Sequence, residues 1–329
     1  MQHSRQLFDF SFADALLAEA GGVPQAALHT DVGAICRAFD AVRPIAARLG
    51  VEPPRPGLAG LAYVHASTLG APVTFDRDAP EPRIRPCINS AEDIDALEEP
   101  ADYVSCPLVS QRLELVQRLR QRRPDARTSI GHDFEGPVTT AVLLMGQGFF
   151  LLPYEDPARA HRLLAFCVRS ALNYSRALHM SAGEVVSPGP VWLPDDFAGI
   201  FPPDRFREFV LPAWNTLYEG LSATSRSLHS ELLREEHLPL LAQAHIDAFD
   251  PGVDQYLSPE ALERRCPAPF SLRIRPAHVR ALSASELARM YRHYASFHPT
   301  EVTFSLECLS DEQKIVALLE EARRLAGAR

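Results

Sequence analysis

The sequence predicts a (β/α)8 TIM barrel, an α/β fold of one domain preceded by an N-terminal helical extension. Short apolar runs alternate with amphipathic segments from about residue 108 onward, the signature of repeated βα units and a parallel sheet. No Gly-x-Gly-x-x-Gly follows an early strand and no Gly-x-x-x-x-Gly-Lys-Ser/Thr occurs anywhere, which disfavours dinucleotide and phosphate-loop folds. The 329 residues contain no linker that would divide them, and a closed barrel fits that length better than an open sheet.

Residues 8–49 read as helical, broken at Gly21, Gly22 and Pro24, and PPRPGLAG at 53–60 ends this extension. The extension is therefore placed at 1–60 and the barrel at 61–329. LAYVHAS at 61–67 reads as a strand, and 72–90, rich in Pro, Asp and Arg, as an irregular excursion. Val109, Leu113, Val116 and Leu119 give 108–122 helical spacing. TSIG at 128–131 reads as a strand, 138–152 as a helix, and 157–182 as a longer helix opened by Asp156-Pro157, a cap and a first-turn proline. Further strands are expected at 184–188, 225–229, 246–250, 270–274 and 302–307. Helices are expected at 203–221, 234–245, 259–265, 285–296 and 311–328. An eighth strand belongs near Tyr103–Cys106 or in the N-terminal region.

The balance of 33 basic against 42 acidic residues gives a net charge of −9, which opposes nucleic acid as a partner. The densest basic run, Arg118, Arg120, Arg122 and Arg123, ends a helix and suits its dipole. No secretion signal or membrane-length apolar run is seen, and the six cysteines form no CxxC pair, which together suggest a cytoplasmic protein. Of the 33 basic residues only Lys314 is a lysine, leaving 33 − 1 = 32 arginines. It lies in the final helix, far from the polar loops, so Schiff-base chemistry has almost no support.

In such barrels chemistry gathers where strands run into helices. Four such junctions are polar: His132-Asp133-Phe134-Glu135, Asp195-Asp196 beside Trp192, His229-Ser230-Glu231, and Glu307-Cys308. Asp133, Glu135 and Asp196 are candidate acids or bases. His229, Glu231 and Cys308 offer nitrogen, oxygen and sulfur, three zinc-competent donors that would leave a fourth position open. Each residue also has a plainer role. His229 would be a hydrogen-bonded strand-end residue, Glu231 the start of a charged helix, and Cys308 a core thiol. Glu135 and the Asp195-Asp196 pair would fix turns, as would Asp250 and Asp254 around Pro251-Gly252. Arg273 and Arg275, near a strand end, would bind a carboxylate.

Several segments resemble the uroporphyrinogen decarboxylase superfamily, over about residues 60–328. They are LGAPVTF at 69–75 with SAEDIDAL at 90–97, GPVTTAVLLMGQGFFLL at 136–152, GPVWLPDDFAGIFPPDRFREFVLPAW at 189–214, and SLHSELL at 227–233. The likeness is closer to the zinc-dependent, cobalamin-linked methyltransferase branch than to true decarboxylases. In that branch zinc is held by His-x-Cys and a late-strand cysteine; here His229 and Cys308 match, and Glu231 replaces the first cysteine. The arginine-bearing stretch of the decarboxylases, near their N-terminus, has no counterpart.

The resemblance implies methyl transfer between a corrinoid such as methylcobalamin and a small-molecule donor or acceptor, with zinc on His229, Glu231 and Cys308. A corrinoid-carrying protein is the implied partner; whether the chain pairs as a homodimer is left open. The rival readings are a metal-independent decarboxylase or lyase, marked by several arginines in the pocket, and a barrel that binds a corrinoid or tetrapyrrole without turnover.

Overall fold

The computed structural model describes residues 8–76, 79, 82–130, 134–184, 187–254 and 256–327. Strand β1 spans Phe8–Phe12, β2 Val73–Thr74, β3 Arg83–Ile84, β4 Gly189–Pro194, β5 Ala223–His229, β6 Ala248–Asp250, β7 Leu272–Arg273 and β8 Val302–Leu306. β2 and β3 form a small antiparallel hairpin inside the excursion expected at 72–90. The other six are parallel, in the sheets β4-β5-β6 and β7-β8-β1. A parallel bridge between Phe249 and Phe270 joins the two sheets. Helices return the chain between most neighbouring strands, as a parallel sheet requires. The C-terminal ends of all six strands consequently face one way. The result is a mixed α/β fold built on two three-stranded parallel sheets.

β1 revises the helical reading of residues 8–49 and of the extension 1–60. Its pattern Phe-Asp-Phe-Ser-Phe alternates, with Phe8 buried and Asp9 and Ser11 exposed. It pairs with β8 from Phe8↔Val302 through Phe12↔Leu306, and Phe304 packs against Phe8 and Phe10 at centroid distances of 6.0 and 5.7 Å. Helix formation begins only at Asp14. The N-terminal segment therefore supplies a strand of the sheet, as one of the two placements for the missing strand anticipated.

Other differences follow from proline, glycine and arginine chemistry. The strand expected at 61–67 is instead a helix at Val64–Thr68; a short apolar run fits either state by periodicity alone. The strand expected at 184–188 has Val185 and Val186 outside the described residues, while β4 occupies Gly189–Pro194, which reads as a loop because of its Gly and Pro residues. The sheet absorbs Pro190, which has no N–H to donate, by a register irregularity at Gly189/Pro190. The helix expected at 138–152 breaks at Gly146 (φ +68°) into Pro137–Met145 and Gly148–Glu155. The helix expected at 234–245 contracts to a 3-10 turn at Leu238–Ala242.

No strand forms over 128–130. Here Arg112, only 1% exposed, donates from Nε to the Ile130 carbonyl and from Nη2 to the Ala59 carbonyl, both at 2.7 Å. One guanidinium thus satisfies buried backbone acceptors from two segments that lack a sheet partner. Lys314 acts in a comparable way. Its ammonium donates to the carbonyls of Val279 and Arg280 at 2.7 and 2.9 Å, closing the helix Pro276–Ala281. Among the described residues no single helix is long and apolar enough to cross a membrane.

Replacing Arg112 by Met leaves two buried carbonyls without these donors while keeping much of the side-chain volume. The expected loss of unfolding free energy is about 3 kcal/mol, read from denaturant midpoints at unchanged m-value. A change below about 0.5 kcal/mol, the range of ordinary surface substitutions, would show that Arg112 has no such role.

Candidate active site

Asp195, wholly buried at the end of β4, organises this end of the fold. The helix Pro137–Met145 begins after Gly136, whose missing side chain cannot cap it. Asp195 caps it from another strand, accepting from the backbone N–H of Thr139 at 2.7 Å and of Val138 at 3.3 Å. The donors are orphaned first-turn groups, and a carboxylate suits the positive end of the helix dipole. Trp214 Nε1 donates to the same carboxylate at 2.6 Å. Burial pushes the Asp195 carboxyl up to about 6, against the pull of these donors. Gly136 is required by proximity: a Cβ there would stand 2.5 Å from the Asp195 side chain.

This cap sets the next residues in place. The Asp195 N–H donates to the His229 carbonyl at 2.9 Å, and Ser230 Oγ donates to the Asp195 carbonyl at 2.9 Å. Asp196 and His229, at the ends of neighbouring strands, are thereby brought together. His229 Nδ1 lies 2.9 Å from Asp250 Oδ2 at the end of β6. Its Nε2 lies 3.5 Å from Asp196 Oδ1 and 3.8 Å from Glu231 Oε1. Trp192 covers one side, with ring centroids 5.6 Å apart. Gly252 permits the approach: it adopts φ +62°, and a Cβ would fall 2.5 Å from Glu231 Oε1 and 2.7 Å from His229 Cε1.

The electrostatics follow from three carboxylates around one imidazole. Burial alone would deprotonate His229, but the Asp250 hydrogen bond and charge, with Asp196 and Glu231, overcome it and hold its pKa above the ordinary value. Burial likewise opposes ionisation of Asp250, yet His229 and Arg273 hold it well below the carboxylate range. Asp196 is pushed up by burial, a rise limited by His229 and reinforced by Glu231 and Asp250. Glu135 is raised well above its ordinary value by burial, then by Asp196 and Asp195, so it keeps a proton that ordinary carboxyls lose.

Of the residues singled out in the sequence, His229, Glu231 and Asp196 converge, with Glu135 electrostatically coupled to Asp196. Asp133 lies outside the described residues. Cys308 makes its contacts elsewhere, its Sγ 3.1 Å from Ser310 Oγ and 3.7 Å from Glu19 Oε1. His229, Glu231 and Asp196 are near one another but not at ligating positions: among the described residues no three His, Cys, Asp or Glu side chains are placed so as to hold an ion. Asp254 accepts from the Tyr256 N–H at 2.6 Å and serves the turn. Arg273 approaches Asp250 Oδ2 at 3.4 Å through Nη2 while its Nε is buried without a hydrogen-bond partner, and Arg275 pairs with His278. Asp250 is the functional residue that sequence reasoning assigns to a turn; its signal is a polar residue ending a short strand, the same signal that marks His229.

A parallel α/β fold with coupled titratable groups at its strand ends has the organisation of an enzyme. The chain belongs to the uroporphyrinogen decarboxylase (URO-D) family, whose sequence profile matches residues 60–269. No curated protein sequence matches it. Among solved structures it is similar to a methyltransferase from Methanosarcina mazei, with a TM-score of 0.71 and 15% identity over 97% of this chain and 93% of that one. At that identity the likeness defines the fold.

Replacing Asp250 by Asn removes the largest influence that raises the His229 pKa. In chelator-treated protein, NMR titration of the His229 ring is expected to show a value above 6.5 in the parent and a fall of about one unit or more in the variant. The pair also adds stability in a defined window. Asp250, depressed, contributes above its unfolded value near 3.8, and His229, raised, contributes below 6.5. The contribution is lost on acidification through the folded Asp250 pKa and on raising pH through the folded His229 pKa. An unshifted imidazole in Asp250→Asn would disprove this coupling.

Proposed function

We propose that this chain is a methyltransferase that moves a methyl group between a corrinoid and a small molecule at the strand-end face of a (β/α)8 barrel, with a zinc ion bound at His229. The observation that carries the reading is His229 itself, fixed through Nδ1 by Asp250 and presenting Nε2 to two carboxylates. A ligating histidine is commonly oriented by such an outer carboxylate. The six parallel strands support the barrel reading, with 58–60 and 127–130 in the proposal filling the places of the two remaining strands.

The donor chemistry fits a divalent ion. Asp196 Oδ1 is buried without a hydrogen bond and faces the same imidazole nitrogen as Glu231 Oε1. His229 and Glu231 would hold zinc, as the family resemblance implies. Asp196 is the third ligand in this proposal, in place of Cys308, because Cys308 contacts Ser310 and Glu19. When bound, zinc supplies a Lewis acid that polarises a methyl-bearing heteroatom or lowers the pKa of an acceptor thiol. A set of one nitrogen and two oxygens is harder than one with thiolates and suits an oxygen or nitrogen substrate.

The chain's own groups supply the rest. Glu135 holds a proton beside Asp196 and can deliver it to a heteroatom that loses its methyl group. Asp250 fixes the ring of His229. Trp192, Ile200, Val253, Tyr256 and Leu309, all at least 36% exposed, lie at or beyond the ends of β4, β6 and β8 and offer apolar surface to a corrinoid or its carrier. A decarboxylase gripping several substrate carboxylates would need several guanidinium groups here, whereas Arg275 is paired with His278 and Arg273 leans on Asp250.

Elemental analysis of purified protein is expected to find one zinc per chain, lost in His229→Ala, Glu231→Ala and Asp196→Ala and kept in Cys308→Ala. Methyl transfer from methylcobalamin, followed by its visible spectrum, is expected to fall at least about 100-fold in His229→Ala. Zinc-free parent protein, or zinc kept in the His229 and Glu231 variants, would overturn the metal site. Zinc lost in Cys308→Ala and kept in Asp196→Ala would overturn the Asp196 assignment.

A further inference from the structure

Beside the end of β5, three loops enclose a cavity of about 420 Å³, within the range of small-molecule sites. The turn after β4 supplies Ile200 and Pro202, the segment after β5 supplies Leu232 and Arg234, and Tyr256 comes from beyond β6. Gly199 lets the first two loops meet, because a Cβ there would overlap the Leu232 carbonyl. His237, only 1% exposed, ties them together. Its Nδ1 accepts from the Arg234 N–H at 2.9 Å, so Nε2 carries the proton that faces the Phe201 carbonyl at 2.8 Å. Burial, the largest influence on this imidazole, lowers its pKa. His237 is therefore a neutral tie with both nitrogens in use, and it fixes the backbone from which Arg234 projects.

Arg234 is half-buried in this wall, and its guanidinium carbon stands 3.1 Å from the centroid of the Tyr256 ring. Such stacking occupies a face of the guanidinium and leaves the in-plane N–H groups to other partners. Among the described residues no carboxylate takes them up. Glu235, next in the chain, belongs to Arg264 and Arg265 at 2.7 and 4.0 Å. Glu231 accepts instead from the Val253 N–H at 3.1 Å and faces His229. Glu236, the acid of this lining, is exposed and makes no ion pair with Arg234. A cation held by an aromatic face, with its donors unspent, thus borders a cavity whose other walls include Ile200, Pro202 and Leu232.

We propose that this cavity binds a small apolar monocarboxylate, its carboxylate on the in-plane donors of Arg234 and its apolar body against Ile200, Pro202 and Leu232. The planar fork of a guanidinium matches a carboxylate with two parallel hydrogen bonds. Tyr256 holds the fork in place before the ligand arrives, which lowers the ordering cost of binding. The charge count selects a single negative charge: one guanidinium neutralises a monoanion, whereas the second charge of a phosphate monoester would meet Glu236 uncompensated. The cavity stands on the loop that follows Glu231, yet binding requires neither zinc nor corrinoid, and the site goes beyond the methyl-transfer reading.

The test uses the full chain and three probes built on one ring: cyclohexanecarboxylate, cyclohexylmethanol and cyclohexyl phosphate. Calorimetric titration at low ionic strength is expected to detect the carboxylate and to rank it at least about tenfold above the alcohol and above the phosphate. Arg234→Met, which keeps the length of the side chain and the backbone bonds to His237, is expected to weaken the carboxylate about tenfold or more. Arg234→Lys, a point charge without the planar fork, is expected to fall between the two. Glu236→Gln is expected to tighten binding about twofold, a gain that a purely structural role for this loop would not produce. Circular dichroism and melting temperature confirm that each variant folds. No binding of cyclohexanecarboxylate, equal or tighter binding of the alcohol or the phosphate, or unchanged affinity in Arg234→Met would each overturn the proposal. The two readings separate cleanly. Carboxylate binding without methyl transfer would sink the function and leave the cavity site, and methyl transfer without carboxylate binding would do the reverse.

Discussion

A buried carboxylate that caps a helix from a different strand is the constraint on which the candidate site depends. Asp195 takes two N–H groups from the helix after Gly136 and one from Trp214, and its own backbone is tied to His229 and Ser230. Removing any of these contacts would leave a buried polar group unmatched, which costs more than the bond itself contributes. The ends of β4 and β5 and the start of a core helix are therefore held as one unit. Asp196, next in the chain, has little freedom to sit anywhere other than beside His229. Gly136 and Gly252 complete the constraint because each lets a carboxylate-bearing side chain approach closer than a Cβ would allow.

The charge pattern follows from that geometry. Placing Asp196, Glu231 and Asp250 around one imidazole makes a site with more acid than base, in a chain whose net charge is already negative. Such an arrangement favours a positive occupant, whether a proton on His229 or a divalent ion. Burial works against it by disfavouring charge of either sign. The two effects do not cancel equally: Asp250, with direct partners in His229 and Arg273, is driven further into its ionised form, and Asp196, with less support, is pushed toward protonation. Neighbouring carboxyls thus have different roles available to them at one pH.

Much of the second half of the fold is legible in the sequence. The helix at 259–265, the strand ends at His229 and Asp250, and the final strand and helix follow from periodicity. The first half is less legible for physical reasons. β1 is short and runs directly into helix, so its alternation merges with the helical pattern. The expected strand at 128–131 has its Ile130 carbonyl bound by a distant arginine, which no local pattern reveals. β4 is hidden by Gly189, Pro190 and Pro194, residues that ordinarily mark loops. At the site, His229, Glu231 and Asp196 are recoverable because polar residues after apolar runs mark strand ends. The contacts of Cys308 with Glu19, and of Asp250 with His229, depend on tertiary neighbours and have no local signal.

Lys314 carries a consequence for handling the molecule. Two carbonyls and the nearby Asp311, 3.6 Å away, suit a compact ammonium better than a planar guanidinium, which explains why a chain otherwise furnished with arginine keeps one lysine here. Amine-directed reagents consequently meet a single side chain, and that one is engaged with backbone oxygens. Succinimidyl dyes, aldehyde fixatives and amine-coupled sensor surfaces would therefore find, among the side chains of these 329 residues, one amine that is already occupied.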